Sequence, residues 1–248
     1  MINQPEPYSS YLSLDWSDKP ENVQACTTLI SGGVSLGDFA EYNLATHVGD
    51  DIAAVRANRA KLVRELRLPS APLWLEQIHS DRVFLADHED KLLPSGSETV
   101  APLPQADASV TGNSGVVCAV LTADCLPVFL CNRTGTEVAV AHAGWRGLHA
   151  GVISKTVSSM ASAADQLVVS LGPAIGPQAF EVGAEVMQAF VDKSHLNKTA
   201  FKESGESRYL CDIYELARIE LQALGVDGAQ IKGGDYCTYT QADLFYSF

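Results

Sequence analysis

Three short segments of this chain end in or enclose a strong metal-binding side chain. Gln77-Ile78-His79 supplies an imidazole and Thr122-Ala123-Asp124-Cys125 a thiol. Ala141-His142-Ala143-Gly144-Trp145-Arg146-Gly147 sets a second imidazole among residues with little bulk. Neutral imidazole and thiolate are the donors zinc prefers. Three protein donors and one open position hold catalytic zinc, whereas structural zinc is closed by four. The count therefore points to a catalytic ion on His79, Cys125 and His142. Spacing is a weaker signal, because Cys125 follows His79 by 46 residues and precedes His142 by 17. No C-x-x-C or H-E-x-x-H pair is present, so the donors can meet only through tertiary structure. Each also has an ordinary reading: Cys125 as a small buried apolar residue, His142 as a core imidazole bonded to a carbonyl, and His79 as a surface residue before Ser80-Asp81.

Residues beside these donors extend the chemistry. Arg146, a guanidinium in a turn next to a donor, can clamp phosphate or carboxylate bidentately, with a salt bridge as the alternative. Asp124 is either a carboxylate that orients a donor imidazole or a cap near Pro127. Asn43 and Gln77 can hydrogen-bond a polar substrate, or serve turns and caps. The small residues from Ala141 to Gly144 leave room for a ligand or another backbone. Gly172-Pro173-Ala174-Ile175-Gly176-Pro177 suits neither a helix nor a central strand. Its spacing is neither a Walker A loop nor a dinucleotide fingerprint, so it is expected to line a pocket or join a strand to a helix.

The scaffold that must hold these groups reads as α+β: a single domain over residues 1–248, with a mixed β-sheet core flanked by helices. Asp50 and Asp51 can cap a helix in which Ile52, Val55, Leu62, Val63 and Leu66 share a face, with Pro69 beyond its end. Residues 181–193 and 212–224 read as further helices, the latter stopped by Gly225, and another is expected to begin near Leu148. Residues 116–121, 128–131, 138–141 and 167–171 read as short buried strands. Cys125 and His142 thus fall near strand ends, where a rigid support meets backbone freedom.

Composition narrows the functional classes. The chain has 248 residues with 46% apolar content, enough for a sizeable core. A formal charge of −13 opposes non-specific binding to nucleic acid or anionic membranes. No stretch approaches a membrane span and no leader pattern opens the chain, so a cytoplasmic protein is expected. Six dispersed cysteines look like reduced thiols rather than a disulfide framework. Oligomeric state is not set by these features.

The motifs resemble, in order and over nearly the whole chain, the YfiH-type family, also called laccase-domain or polyphenol-oxidase-like proteins. The matching stretches are Gly32-Gly33-Val34-Ser35, Tyr42-Asn43-Leu44-Ala45, His47-Val48-Gly49-Asp50, Asn58-Arg59, Trp74 to His79, Ala106-Asp107-Ala108, Thr122 to Val128, Ala141 to Gly147, Leu171 to Pro177 and Phe180 to Gly183. The resemblance implies zinc on His79, Cys125 and His142, with copper as an adventitious occupant given the metal affinity order. It implies purine nucleoside phosphorylase activity on adenosine, inosine and methylthioadenosine, with adenosine deamination alongside and an older polyphenol oxidase label. A small-molecule nucleoside and phosphate are then the expected partners.

These activities make different demands. Phosphorolysis needs a held phosphate and a stabilised cationic sugar. Deamination needs activated water and a proton-shuttling carboxylate, and the H-x-E and P-C-x-x-C deaminase pattern is absent. A multicopper oxidase needs many more imidazoles than the six present, and His47, His88, His149 and His195 form no adjacent pairs with the three donors. Two departures from the family pattern remove positive charge: Ile30 stands where relatives carry arginine, and the two arginines that follow the aligned Tyr246-Ser247-Phe248 are missing. A metal-free Cys-His hydrolase, acting on a peptidoglycan precursor or another amide, uses the same Cys125 with His142 or His79. A non-catalytic nucleotide- or partner-binding module is the third alternative.

Overall fold

The computed structural model describes residues 10–14, 16, 18–87 and 102–248; His88 lies outside them. The core strands are short apolar runs. β3 (Val83–Leu85), β4 (Ala108–Thr111), β5 (Leu126–Asn132), β6 (Val138–Ala143), β7 (Leu167–Leu171) and β11 (Ile231–Gly233) form a six-stranded sheet in the order β11-β7-β5-β6-β4-β3. The two outermost pairings, β11 with β7 and β3 with β4, are parallel, and the inner ones are antiparallel. Two smaller sheets accompany it: β1 (Tyr11–Ser13) with β2 (Cys26–Thr28), and β8 (Glu181–Gly183), β10 (Arg208–Cys211) and β9 (Phe201–Gly205).

Because side chains alternate across a strand, each central strand feeds two cores. Leu126, Val128 and Leu130 of β5, Ala139, Ala141 and Ala143 of β6, and Leu167, Val169 and Leu171 of β7 join one large buried cluster. Cys131 and Val168 point the other way and pack with Trp16 and Val23. The alanines of β6 offer little bulk, and α3 (Val152–Ser159) packs on that strand and on α5 (Ile213–Ala223). His142 alternates with these alanines and so belongs to the opposite face.

The helices follow their caps. α1 (Ile52–Glu65) starts at Asp51, whose carboxylate accepts from the Ala53 N–H, and α5 starts at Asp212, which accepts from Glu215 N–H. α2 (Trp145–Ala150) begins at Trp145 rather than near Leu148, so Arg146 lies in its first turn. Gly151, at φ +99°, separates α2 from α3 with a left-handed residue that only glycine adopts cheaply. Residues 181–193 are not one helix: residues 181–183 pair with β10, and α4 (Ala184–Lys193) begins after Gly183. Residues 116–121 form no strand. They are half-buried and contribute one isolated bridge, Leu73 to Cys118.

α1 carries one residue that the apolar pattern did not mark. Asn58 is fully buried. Its Oδ1 accepts from Val34 N–H at 2.9 Å, and its Nδ2 donates to Ser35 Oγ, Glu41 O and Asn43 O at 3.0, 3.1 and 2.9 Å. This one amide ties the 34–43 loop to α1. Asn58→Ala strands those backbone groups without partners and is expected to cost about 3 kcal/mol. Thermal unfolding should show a fall on the order of 10 °C.

Candidate metal centre

The sheet and its loops bring the three sequence-derived donors together. The ligand atoms of His79, Cys125 and His142 all lie within 4.8 Å of one another, and no other such group occurs among the described residues. Cys125 immediately precedes β5 and His142 is the penultimate residue of β6. Pro127 and His142 are register partners, so both donors sit at one end of the same strand pair. His79 comes from the loop before β3 and meets His142 edge to face, with ring centroids 4.8 Å apart. His142 is buried, Cys125 half-buried and His79 exposed, so the cluster opens toward solvent through His79.

One carboxylate organises the group, and it is Asp107, which sequence reasoning did not single out as a site residue. Asp107 has no solvent exposure. Its Oδ1 accepts from His79 N–H at 3.0 Å and from His142 Nδ1 at 2.9 Å. Its Oδ2 accepts from Ile78 N–H, Ser80 N–H and Ser80 Oγ at 3.2, 2.6 and 2.8 Å. Three consecutive amides therefore converge on one carboxylate, which holds His79 at φ +59°. The bond to Nδ1 fixes the His142 tautomer and leaves Nε2 toward the cluster. A second tie joins the other donor segments: Gln77 Nε2 donates to Leu121 O at 2.8 Å, and its Oε1 accepts from Leu121 N–H at 2.7 Å.

Gly144 supplies the space. A Cβ there would lie 2.6 Å from Cys125 Sγ and 3.3 Å from His79 Cδ2. The donor set, the fixed tautomer and this missing side chain all fit a metal ion. His79, Cys125 and His142 could hold one, and its identity follows from none of these distances.

The remaining sequence-derived residues fall in different places. Arg146 is exposed, stacks on Trp145 at 4.3 Å and makes no ion pair among the described residues. Its charge helps to lower the His79 pKa, behind burial and the His142 charge. The Asn43 amide is spent on Ala45 and on Asp50, and that of Gln77 on Leu121. Both shape loops through these internal bonds. The Asp124 carboxylate accepts from Thr238 Oγ1, Ser247 Oγ and Phe248 N–H. The carboxylate bonded to an imidazole is Asp107. A charged residue flanked by two alanines immediately before the core strand β4 was the available signal for it, since buried acids are rare unless paired.

Electrostatics in the metal-free site follow from these bonds. Burial opposes charge on both partners, but hydrogen bonds to Asp107 and Cys125 push His142 up to about 9, and those to His142 and Ser80 pull Asp107 down to about 2. A raised histidine pKa gives stability that is complete below its ordinary value and is lost as pH rises through the folded one. Thermal scans of chelator-treated protein are expected to show declining stability from pH 7 toward pH 10. The depressed carboxylate gives stability present above about pH 4 and lost as pH falls through about 2. A bound ion replaces the Nε2 proton of His142, so metal-loaded protein should lack the alkaline decline.

Comparison with known proteins places this geometry. Residues 24–248 match the family described as multi-copper polyphenol oxidoreductase laccase. The chain belongs to this laccase-like, YfiH-type family. The purine nucleoside phosphorylase YfiH of Escherichia coli is 48% identical over 230 residues, covering 93% of this chain and 89% of the relative. A Pseudomonas aeruginosa purine nucleoside phosphorylase is 46% identical over 241 residues, covering 97% and 93%. Among solved structures, a Neisseria meningitidis protein superimposes with a TM-score of 0.86 at 42% identity over 96% of this chain and 93% of its own. YlmD of Geobacillus stearothermophilus gives 0.85 at 28% identity over 98% and 92%. These YfiH-type neighbours share the mixed α and β architecture. The multi-copper description sits poorly with the imidazole supply here: among the described residues only His79 and His142 join the metal-binding group. No helix among the described residues is long and apolar enough to cross a membrane.

Proposed function

We propose that this chain is a zinc-dependent purine nucleoside phosphorylase of the cytoplasm, a single domain acting on adenosine, inosine and methylthioadenosine. The observation that carries the reading is the convergence of His79, Cys125 and His142 in a chain 48% identical to a relative named for that activity. In phosphorolysis the bond from the purine to the ribose anomeric carbon breaks and a phosphate oxygen bonds to that carbon. Zinc, when bound, would supply Lewis-acid polarisation of a reactant oxygen. Arg146 stands on the first turn of α2, without an ion pair among the described residues and stacked on Trp145, where its fork can hold phosphate. Asp107 holds His142 in one tautomer, and Ile78, exposed beside His79, gives the sugar or base an apolar neighbour.

Deamination fits less well. Among the described residues, the carboxylates of Asp107 and Asp124 beside the donors are already engaged by fixed hydrogen-bond donors, which suits them poorly to shuttling a proton. With Ile30 where relatives carry arginine, Arg146, Arg56 and Arg59 are the cations proposed for phosphate. Arg56 is exposed. Arg59 donates Nε to Leu44 O and lies 3.9 Å over Trp74.

Elemental analysis of protein purified without added metal, with a nucleoside screen run with and without phosphate, tests the proposal. One zinc per chain and phosphate-dependent release of hypoxanthine from inosine are expected. His79→Ala and Cys125→Ala should each lose zinc and turnover together, and full zinc in either variant removes that residue from the ligand set. A second reading rests on the alignment of Asp107, His142 and Cys125, in which a carboxylate backs an imidazole hydrogen-bonded to a thiol. That relay suits a cysteine hydrolase acting on an amide such as a peptidoglycan precursor. Full activity in chelator, abolished by thiol alkylation, would favour it.

A further inference from the structure

We propose that Asp124 is a positioning residue of the metal centre, which holds the backbone that presents the Cys125 thiolate by clasping Thr238, Ser247 and Phe248. The proposal rests on the reading of Cys125 as a metal ligand. Asp124 sits at φ +74°, a left-handed conformation that costs an aspartate free energy unless its surroundings enforce it. Thr238 Oγ1 and Ser247 Oγ donate to its Oδ1 at 2.6 and 2.8 Å, and Phe248 N–H donates to Oδ2 at 2.9 Å. The carbonyl of Asp124 accepts from Ile175 N–H at 2.9 Å. The carboxylate and the carbonyl of the residue before Cys125 are thus fixed from outside its own loop.

The loop needs that support. Leu121 is pinned by Gln77 and Leu126 enters β5, so residues 122–125 span the gap between two anchors. Asp124 is where the outside contacts land. Its donors are two hydroxyls and an amide, with no arginine or lysine among them, so the carboxylate sets geometry rather than neutralising a cation. Nor is it needed merely to dock the C-terminal segment. That segment is also held by Thr238 N–H to Ala174 O, Ile30 N–H to Leu244 O and Tyr246 OH to Phe39 O, at 3.0, 3.0 and 2.8 Å. What those bonds leave undone is the orientation of residue 124, and with it the direction in which Cys125 points.

Cobalt(II) reports on this directly, because a thiolate bound to Co²⁺ gives an intense near-ultraviolet band that imidazoles do not. Wild-type protein titrated with Co²⁺ is expected to show the band, and chelator competition gives the affinity. Asp124→Ala should weaken the band and lower Co²⁺ and Zn²⁺ affinity at least ~10-fold, the scale on which residues supporting metal ligands act. Asp124→Asn keeps an acceptor for the two hydroxyls and should retain most of both. Thr238→Val and Ser247→Ala should each cost a few-fold. Asn58→Ala, which weakens the fold away from the donors, should leave the band unchanged. A folded Asp124→Ala protein with wild-type band and affinity overturns the proposal. If that variant does not fold, the Thr238→Val/Ser247→Ala double variant decides, and wild-type metal binding there has the same consequence. Absence of a thiolate band in the wild-type protein would remove Cys125 from the ligand set and the proposal with it. A wild-type band that Asp124→Ala leaves untouched removes only the proposal.

Discussion

Asp107→Asn is expected to be nearly as damaging as Asp107→Ala, despite identical shape. Every partner of this carboxylate donates: the amides of Ile78, His79 and Ser80, the Ser80 hydroxyl and His142 Nδ1. An asparagine keeps one acceptor and aims an NH₂ group at donors on its other side, leaving buried groups unpaired. The loss should be roughly 3–5 kcal/mol of stability, and zinc affinity should fall on the order of 100-fold because the His142 ring and the His79 turn lose their guide. Thermal unfolding and zinc titration against a competing chelator would check both. An asparagine variant with unchanged zinc affinity would show that the imidazole orientations come from packing instead.

Gly144→Ala should separate site from fold. The backbone at Gly144, with φ −62° and ψ 158°, is open to any residue, so the substitution adds only a methyl group. That methyl falls within 2.6 Å of Cys125 Sγ, far inside van der Waals contact. The thiol must swing aside or the strand end must shift. Zinc content is expected to drop below about a tenth of wild type, with unfolding temperature lowered by roughly 2–10 °C, since overpacking costs about 1–3 kcal/mol. Metal analysis beside a thermal scan measures the two together, and normal zinc in this variant would argue that the ion lies away from Gly144.

The sequence was most legible where one local cause decides the structure. Asp51 caps its helix as the pattern predicts, and the runs around Val128, Val138 and Leu167 are strands because they are short, apolar and buried on both faces. Residues 116–121 have the same composition but lack strand partners beyond a single bridge, and apolar content alone cannot report that. Residues 181–193 carry a helical pattern, yet pairing with β10 takes the first three of them. The donors were readable because their chemistry is local to each side chain. Asp107 was not, because its importance lies in a turn 28 residues earlier and an imidazole 35 residues later. The partners of Asp124 were hidden for the same reason: its neighbour in sequence is a donor, but its hydrogen-bond partners are up to 124 residues away.

The ties made by Asp107 and by Gln77 to Leu121 hold all three donor segments with protein hydrogen bonds alone. The order of assembly follows. The polypeptide is expected to close its sheet without an ion, in contrast to a zinc finger, where metal and fold form together. Stripping the ion should therefore leave an empty but finished receptacle, ready to be refilled with a different divalent cation without passing through the unfolded chain.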